Sequence, residues 1–68
     1  MEKRPIVNLA KIRGLMAEHG DTQEKVASFL NQSVVSFSKR INGEIEFKPS
    51  ELYFLAKKYK KPIEYFFC

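Results

Sequence analysis

Sixty-eight residues make one domain and no more, and a chain this short buries only about 60% of its unfolded surface, so its core has to be compact. With 44% hydrophobic and 29% charged residues, only three glycines and three prolines, and no repeats or low-complexity runs, the composition is that of a soluble globular chain and excludes disorder. Twelve Lys and Arg against eight Asp and Glu leave a net charge of +4 and a pI near 9.4. That surplus suits a polyanionic partner without identifying one.

Residues 1–5 read as a flexible tail, in which Lys3 and Arg4 offer a short basic arm. From about Asn8 to His19, the residues Leu9, Ile12, Leu15 and Met16 fall on one helical face. Ile6 and Val7 extend this helix if Pro5 takes its first position. Gly14 costs it about 1 kcal/mol relative to Ala. His19 sits in the last turn, where its charge suits the helix dipole, and Gly20 terminates the helix.

Thr22 is the preferred cap of a second helix, with Asp21 one residue earlier as the alternative that would pair with Glu24 in a capping box. Val26, Ala27 and Leu30 face inward, Phe29 falls off that stripe, and small Ala27 lets another helix cross closely. Asn31 stands where a left-handed terminator belongs.

Ser33 caps a third helix over residues 34–41. Val34, Val35, Phe37 and Ile41 make it a poor helix on its own, so tertiary packing must hold it. If Phe37 and Ile41 point into the core, Val34, Val35, Ser38 and Lys39 lie on the other side. Exposed valines there suit thymine methyl groups in a major groove, or self-association. Asn42-Gly43 ends the helix. In the connector that follows, Ile45 and Phe47 are expected to tuck onto the core.

Pro49 opens a fourth helix, with Glu51 complementing the dipole and Leu52, Leu55, Ala56 and Tyr59 as its inner stripe. Lys57, Lys58, Lys60 and Lys61 gather at its C-terminal end, where dipole complementation and solvation explain them better than a DNA contact. Pro62 opens a last short helix, residues 62–67, with Ile63 and Phe66 or Phe67 closing the core. The pattern is all-α and compact, with five helices.

This chain resembles the Cro/cI-type helix-turn-helix family, the lambda-repressor-like or XRE family, over residues 8–67. The resemblance rests on Thr22-Gln23-Glu24, Val26-Ala27, Leu30, Ser33, Phe37-Ser38, Asn42-Gly43, Pro49-Ser50-Glu51-Leu52, Leu55-Ala56 and Pro62-Ile63-Glu64-Tyr65-Phe66. No one of these is diagnostic; their joint spacing is the signal. It implies a five-helix DNA-binding domain with its helix-turn-helix at about residues 22–42. It also implies roles for particular positions: Val34, Val35 and Lys39 toward base edges, and Gln23 and Asn42 toward phosphates. Beside them, Ser38 is expected among the base contacts, and Ser33 and Arg40 among the phosphate contacts.

Three departures from the family pattern stand out. Met16 and Ile41 replace a frequent interior ion pair, an exchange that is often neutral or stabilising. Arg40 takes a usually apolar position, so either Ile41 takes over the core or the helix is slightly rotated. Asp21 replaces an apolar residue between the first two helices.

The expected function is a transcriptional regulator, a repressor or Cro-like protein, acting on an operator in double-stranded DNA. A homodimer is expected because one eight-residue reading helix spans few base pairs. Tyr65, Phe67 and Phe54 are the candidate dimer contacts: all belong to a surplus of aromatics, and the resemblance, to a family whose dimers often meet around the last helix, puts Phe67 with Tyr65 first. An antitoxin-type regulator that also binds a partner protein such as a toxin is the alternative. An enzyme is not expected: one His, one Cys, no phosphate loop and no cofactor motif are present, and Cys68 with His19 makes no metal site. Without a membrane span or secretory segment, the expected location is the bacterial or phage-infected cytoplasm, at the nucleoid.

Overall fold

Capping groups decide where the helices begin. The computed structural model describes residues 7–67. The expectations placed on residues 1–6 and on Cys68 lie outside that range: the tail, the basic arm, a helix start at Pro5 and the statement that Cys68 makes no metal site with His19. Helix α1 spans Leu9–Glu18, and the Asn8 Oδ1 accepts the Lys11 N–H at 3.2 Å. Val7 does not extend it. Its backbone instead pairs with Phe67 in an isolated antiparallel bridge, supported by an Asn8 N–H bond to the Phe66 carbonyl at 2.8 Å.

Helix α2 is Gln23–Phe29, capped by the Thr22 hydroxyl, which accepts the Lys25 N–H at 3.1 Å. Asp21 is thereby released from capping. Helix α3 is Val34–Ile41, capped by the Ser33 Oγ on the Ser36 N–H at 3.1 Å. Helix α4 is Pro49–Tyr59 with proline at its first position. Lys48 precedes it and has no side-chain acceptor, so the Glu51 carboxylate reaches back to accept the Lys48 N–H at 2.8 Å.

All four α-helices stop in the same way. A residue with positive φ turns the chain, and the next N–H bonds to a carbonyl one turn back: Asp21 to Met16, Gln32 to Ala27, Glu44 to Lys39 and Lys61 to Ala56, at 2.8–3.0 Å. The turning residues are Gly20, Asn31, Gly43 and Lys60. Asn31 follows the sequence expectation. Lys60, at φ 57°, takes a conformation that costs a residue with a Cβ about 1–2 kcal/mol.

The expected fifth α-helix is a single 3-10 turn, Ile63–Phe66. Pro62 precedes it in extended conformation (φ −66°, ψ 152°) instead of opening it, and Phe67 returns to extended backbone to meet Val7. Only one tight turn fits between those two constraints. The domain is therefore all-α with four α-helices, and among the described residues there is no strand beyond the Val7–Phe67 bridge.

The inner stripes meet in one core. Ile12, Leu15 and Met16 of α1, Val26 and Ala27 of α2, Phe37 and Ile41 of α3, and Leu52, Leu55, Ala56 and Tyr59 of α4 are buried with Phe47 and Phe66. Leu9, Leu30, Val7, Tyr65 and Phe67 pack partly against it. Ile45 and Ile63, expected inside, are exposed. They stand on the rim of an apolar groove of about 550 Å³, whose floor is formed by Leu9, Phe47 and Leu52. Ile41 does take over the core position beside Arg40, and Met16 and Ile41 are both buried. No described helix is long and apolar enough to cross a membrane.

Candidate nucleic-acid interface

The α2–turn–α3 unit presents a surface because its inner residues are so completely withdrawn. Phe37 and Ile41 are buried to within 1%, and the Phe37 ring meets Phe47 edge-on at 6.0 Å. Helical spacing then forces Val34, Val35, Ser38 and Lys39 toward the opposite side. Val35 is 66% exposed and Val34 40%, Lys39 is exposed, and Ser38 is half-buried. Ser33 is exposed at one end of this face and Asn42 at the other. Gln23, half-buried, opens α2.

Asn42 is held in place. Its Oδ1 accepts from the Arg13 Nη2 at 2.6 Å, and its Nδ2 donates to the Ser38 Oγ at 3.3 Å. The same Arg13 nitrogen donates to the Ile41 carbonyl at 3.2 Å, so α1 grips the C-terminal end of α3. Sequence reasoning passed over Arg13, which lies off the apolar stripe of α1 and carries no local signal. Its exposed guanidinium adds a positive charge beside Asn42.

Arg40 has a different position from the one its sequence context implied. Its Nε pairs with the Glu51 Oε1 at 2.9 Å, and its Nη1 donates to the Ser36 carbonyl and hydroxyl at 3.2 and 3.3 Å. Both ionic side chains are only 11% exposed. The guanidinium is thus committed within the fold, which removes Arg40 from the group of free phosphate ligands. Glu51 also accepts from the Gln32 Nε2 at 2.8 Å, in addition to the Lys48 N–H. One nearly buried carboxylate at the start of α4 therefore joins the α2–α3 turn, the middle of α3 and its own helix cap.

A second tie holds the α1–α2 corner. The Tyr59 hydroxyl donates to the Asp21 Oδ2 at 2.7 Å, and the Lys58 Nζ lies 3.6 Å from the same oxygen. The His19 ring lies against Tyr59, with centroids 4.9 Å apart, and its Nδ1 is 2.9 Å from the Leu15 carbonyl. The Tyr59 bond, aided by Lys58, holds the Asp21 carboxyl below the usual aspartate range against the opposing effect of burial. Burial first, and then the bond to Asp21, push the Tyr59 hydroxyl well above the usual tyrosine range.

These two shifts predict how stability depends on pH. Asp21 contributes fully above the unfolded carboxylate value near pH 4, and its contribution disappears as pH falls through the lower folded value. Tyr59 contributes fully below about pH 10, and loses that contribution as pH rises toward its raised folded value. Urea-unfolding midpoints measured across pH are expected to decline at both ends. Tyr59→Phe should remove the part of the alkaline decline due to this hydroxyl; an unchanged alkaline limb would contradict the assignment.

Among the described residues no three of His, Cys, Asp and Glu come together as a metal site would require. Of the candidate dimer residues, Phe54 is 49% exposed on α4, whereas Tyr65 and Phe67 are partly buried against the core. The structure therefore brings Val34, Val35, Ser38, Lys39, Ser33 and Asn42 onto or beside one helix, and sets Phe54 apart from them. No family model, curated protein or solved structure matches this chain.

Proposed function

We propose that this chain is a sequence-specific DNA-binding regulator of the Cro/cI type, a repressor acting as a homodimer, that reads the major groove with α3. The observation that carries the reading is the pair of neighbouring exposed valines at the capped start of a short helix whose other side is locked into the core. A helix so exposed, with serine and lysine one turn further on, offers apolar contact for thymine methyl groups and a donor for guanine. Val34 and Val35 read thymine, Lys39 reads guanine, and Ser38 assists. Gln23, Ser33 and Asn42 bind phosphates, and the Arg13 guanidinium beside Asn42 joins them in place of Arg40.

The test begins with selection of binding sites from a pool of random duplexes. Enrichment of a two-fold symmetric site is expected, with half-sites separated by about one turn, roughly 34–36 Å. Lys39→Ala and Val34→Ala should each weaken binding to the selected site by about 1–3 kcal/mol while changing binding to random DNA much less. Equal losses on both DNAs would overturn the base-reading roles. A selection that enriches nothing at physiological salt would overturn the function itself.

A further inference from the structure

The outer side of α4 carries a surface that the DNA-reading face does not use. Tyr53 and Phe54 are 53% and 49% exposed and meet each other edge-on at 5.9 Å. Phe29 of α2, 47% exposed, stands beside the same helix with the Lys58 ammonium 4.9 Å above its ring. The Lys57 ammonium lies 5.2 Å from the Tyr53 ring centre. From residue 50 to residue 61 the exposed positions of this segment are Ser50, Tyr53, Phe54, Lys57, Lys60 and Lys61, without one acid among them. Three half-exposed rings thus lie along this side of the molecule, two of them under the Lys57 and Lys58 ammoniums, with exposed Lys60 and Lys61 following at the C-terminal end of the helix, more apolar surface than isolated exposed side chains present.

We infer that this face docks an acidic amphipathic helix of a partner protein, whose apolar side chains cover Phe29, Tyr53 and Phe54 while its carboxylates meet Lys57, Lys60 and Lys61. Charge decides the occupant. A second copy bound through the same face would bring these lysines together with no carboxylate of the face to meet them. A single-stranded nucleic acid would need free ring faces on which its bases could stack, and lysine ammoniums already lie over Phe29 and Tyr53; aliphatic side chains need no free ring face, since they can pack against the ring edges and the lysine stems. A helix bearing carboxylates beside leucine-like side chains satisfies both parts of the surface. The docking face uses none of the residues assigned to DNA, so it stands or falls independently of those assignments, but it claims for the partner helix Phe54, one of the candidate dimer contacts.

The experiment is a titration of nitrogen-15-labelled protein with a synthetic glutamate–leucine amphipathic peptide about four helical turns long. A glutamine–leucine counterpart and oligothymidylate serve as parallel probes. Amide shifts are expected to saturate and to concentrate at Phe29, Tyr53, Phe54, Lys57 and Lys60. Affinity should fall by about tenfold or more for the glutamine peptide and for the double variant Phe54→Ser/Lys57→Glu. Both side chains of that variant are exposed, so its far-ultraviolet dichroism should match the parent. Three results would overturn the inference: equal binding of the two peptides or of neither, oligothymidylate binding the same residues more tightly, or a dimer in sedimentation that Phe54→Ser abolishes.

Discussion

Replacing Glu51 by alanine is expected to destabilise the fold by about 3–5 kcal/mol, because it leaves the buried Arg40 guanidinium without its counter-ion. The same change removes the acceptor for Gln32 Nε2 and for the Lys48 N–H that begins α4. For a domain whose whole stability is of order 5–15 kcal/mol, the loss should shift the urea midpoint strongly and leave a substantial unfolded fraction near body temperature. The companion experiment is the double substitution Arg40→Leu/Glu51→Leu. It removes both charges together and should return the part of the loss due to the orphaned guanidinium, while the part due to the unpaired Gln32 and Lys48 donors remains. A single variant that melts like the parent would show that Glu51 is not the junction its hydrogen bonds describe. Because Glu51 fixes α3 through Arg40, any variant that still folds should also hold α3 less firmly.

Phe37→Ala is expected to cost about 3–5 kcal/mol, and the comparison with its neighbour Val35 isolates the reason. Phe37 is fully buried and packs edge-on against Phe47, whereas Val35, two residues earlier on the same helix, is 66% exposed. Truncating Phe37 opens a cavity under a helix whose β-branched and aromatic residues give it little independent stability. Truncating Val35 removes little packing, so its effect should stay within about 0.5 kcal/mol. At roughly 4–8 °C per kcal/mol for a domain of this size, thermal melts will separate the two variants clearly. Two equal melting temperatures would mean that α3 is anchored elsewhere. The pair also divides function from folding: Val35→Ala should reduce selected-site binding without lowering the melting temperature.

The parts of the fold that were legible in the sequence are those governed by local chemistry. Thr22 and Ser33 mark helix starts because their side chains reach N–H groups three residues away, whereas Asn8, which caps the first helix in the same way, carries no such expectation. The apolar stripes identified most of the core, and Asn31 announced its own left-handed turn. The ties that hold the candidate interface were not legible, because each joins residues far apart in sequence. Asp21 meets Tyr59 across 38 positions, and Arg13 meets Asn42 across 29. Arg40 stood out as a departure and Glu51 as a dipole complement, but nothing local pairs them, nor brings Gln32 to the same carboxylate. The misplaced elements have a similar cause. Val7 and Phe67 pair with each other across nearly the whole domain, which draws Val7 out of the first helix and shortens the last to a single turn. Lys60 adopts positive φ although no residue preference signals it.

The dipeptide Asn42-Gly43 also sets how the molecule ages. Asparagine followed by glycine is the sequence most open to succinimide formation: the glycine nitrogen attacks the side-chain carbonyl carbon, ammonia departs, and hydrolysis leaves aspartate or isoaspartate. Here the Asn42 amide is held at both ends, by Arg13 and by Ser38, and the Gly43 N–H is engaged with the Arg40 carbonyl at 3.1 Å. Folding therefore keeps the two reacting groups occupied, and each unfolding event releases them together. A molecule so damaged would carry a new negative charge beside the Arg13 guanidinium, so the lifetime of the native state also limits how long the exposed end of α3 keeps its charge.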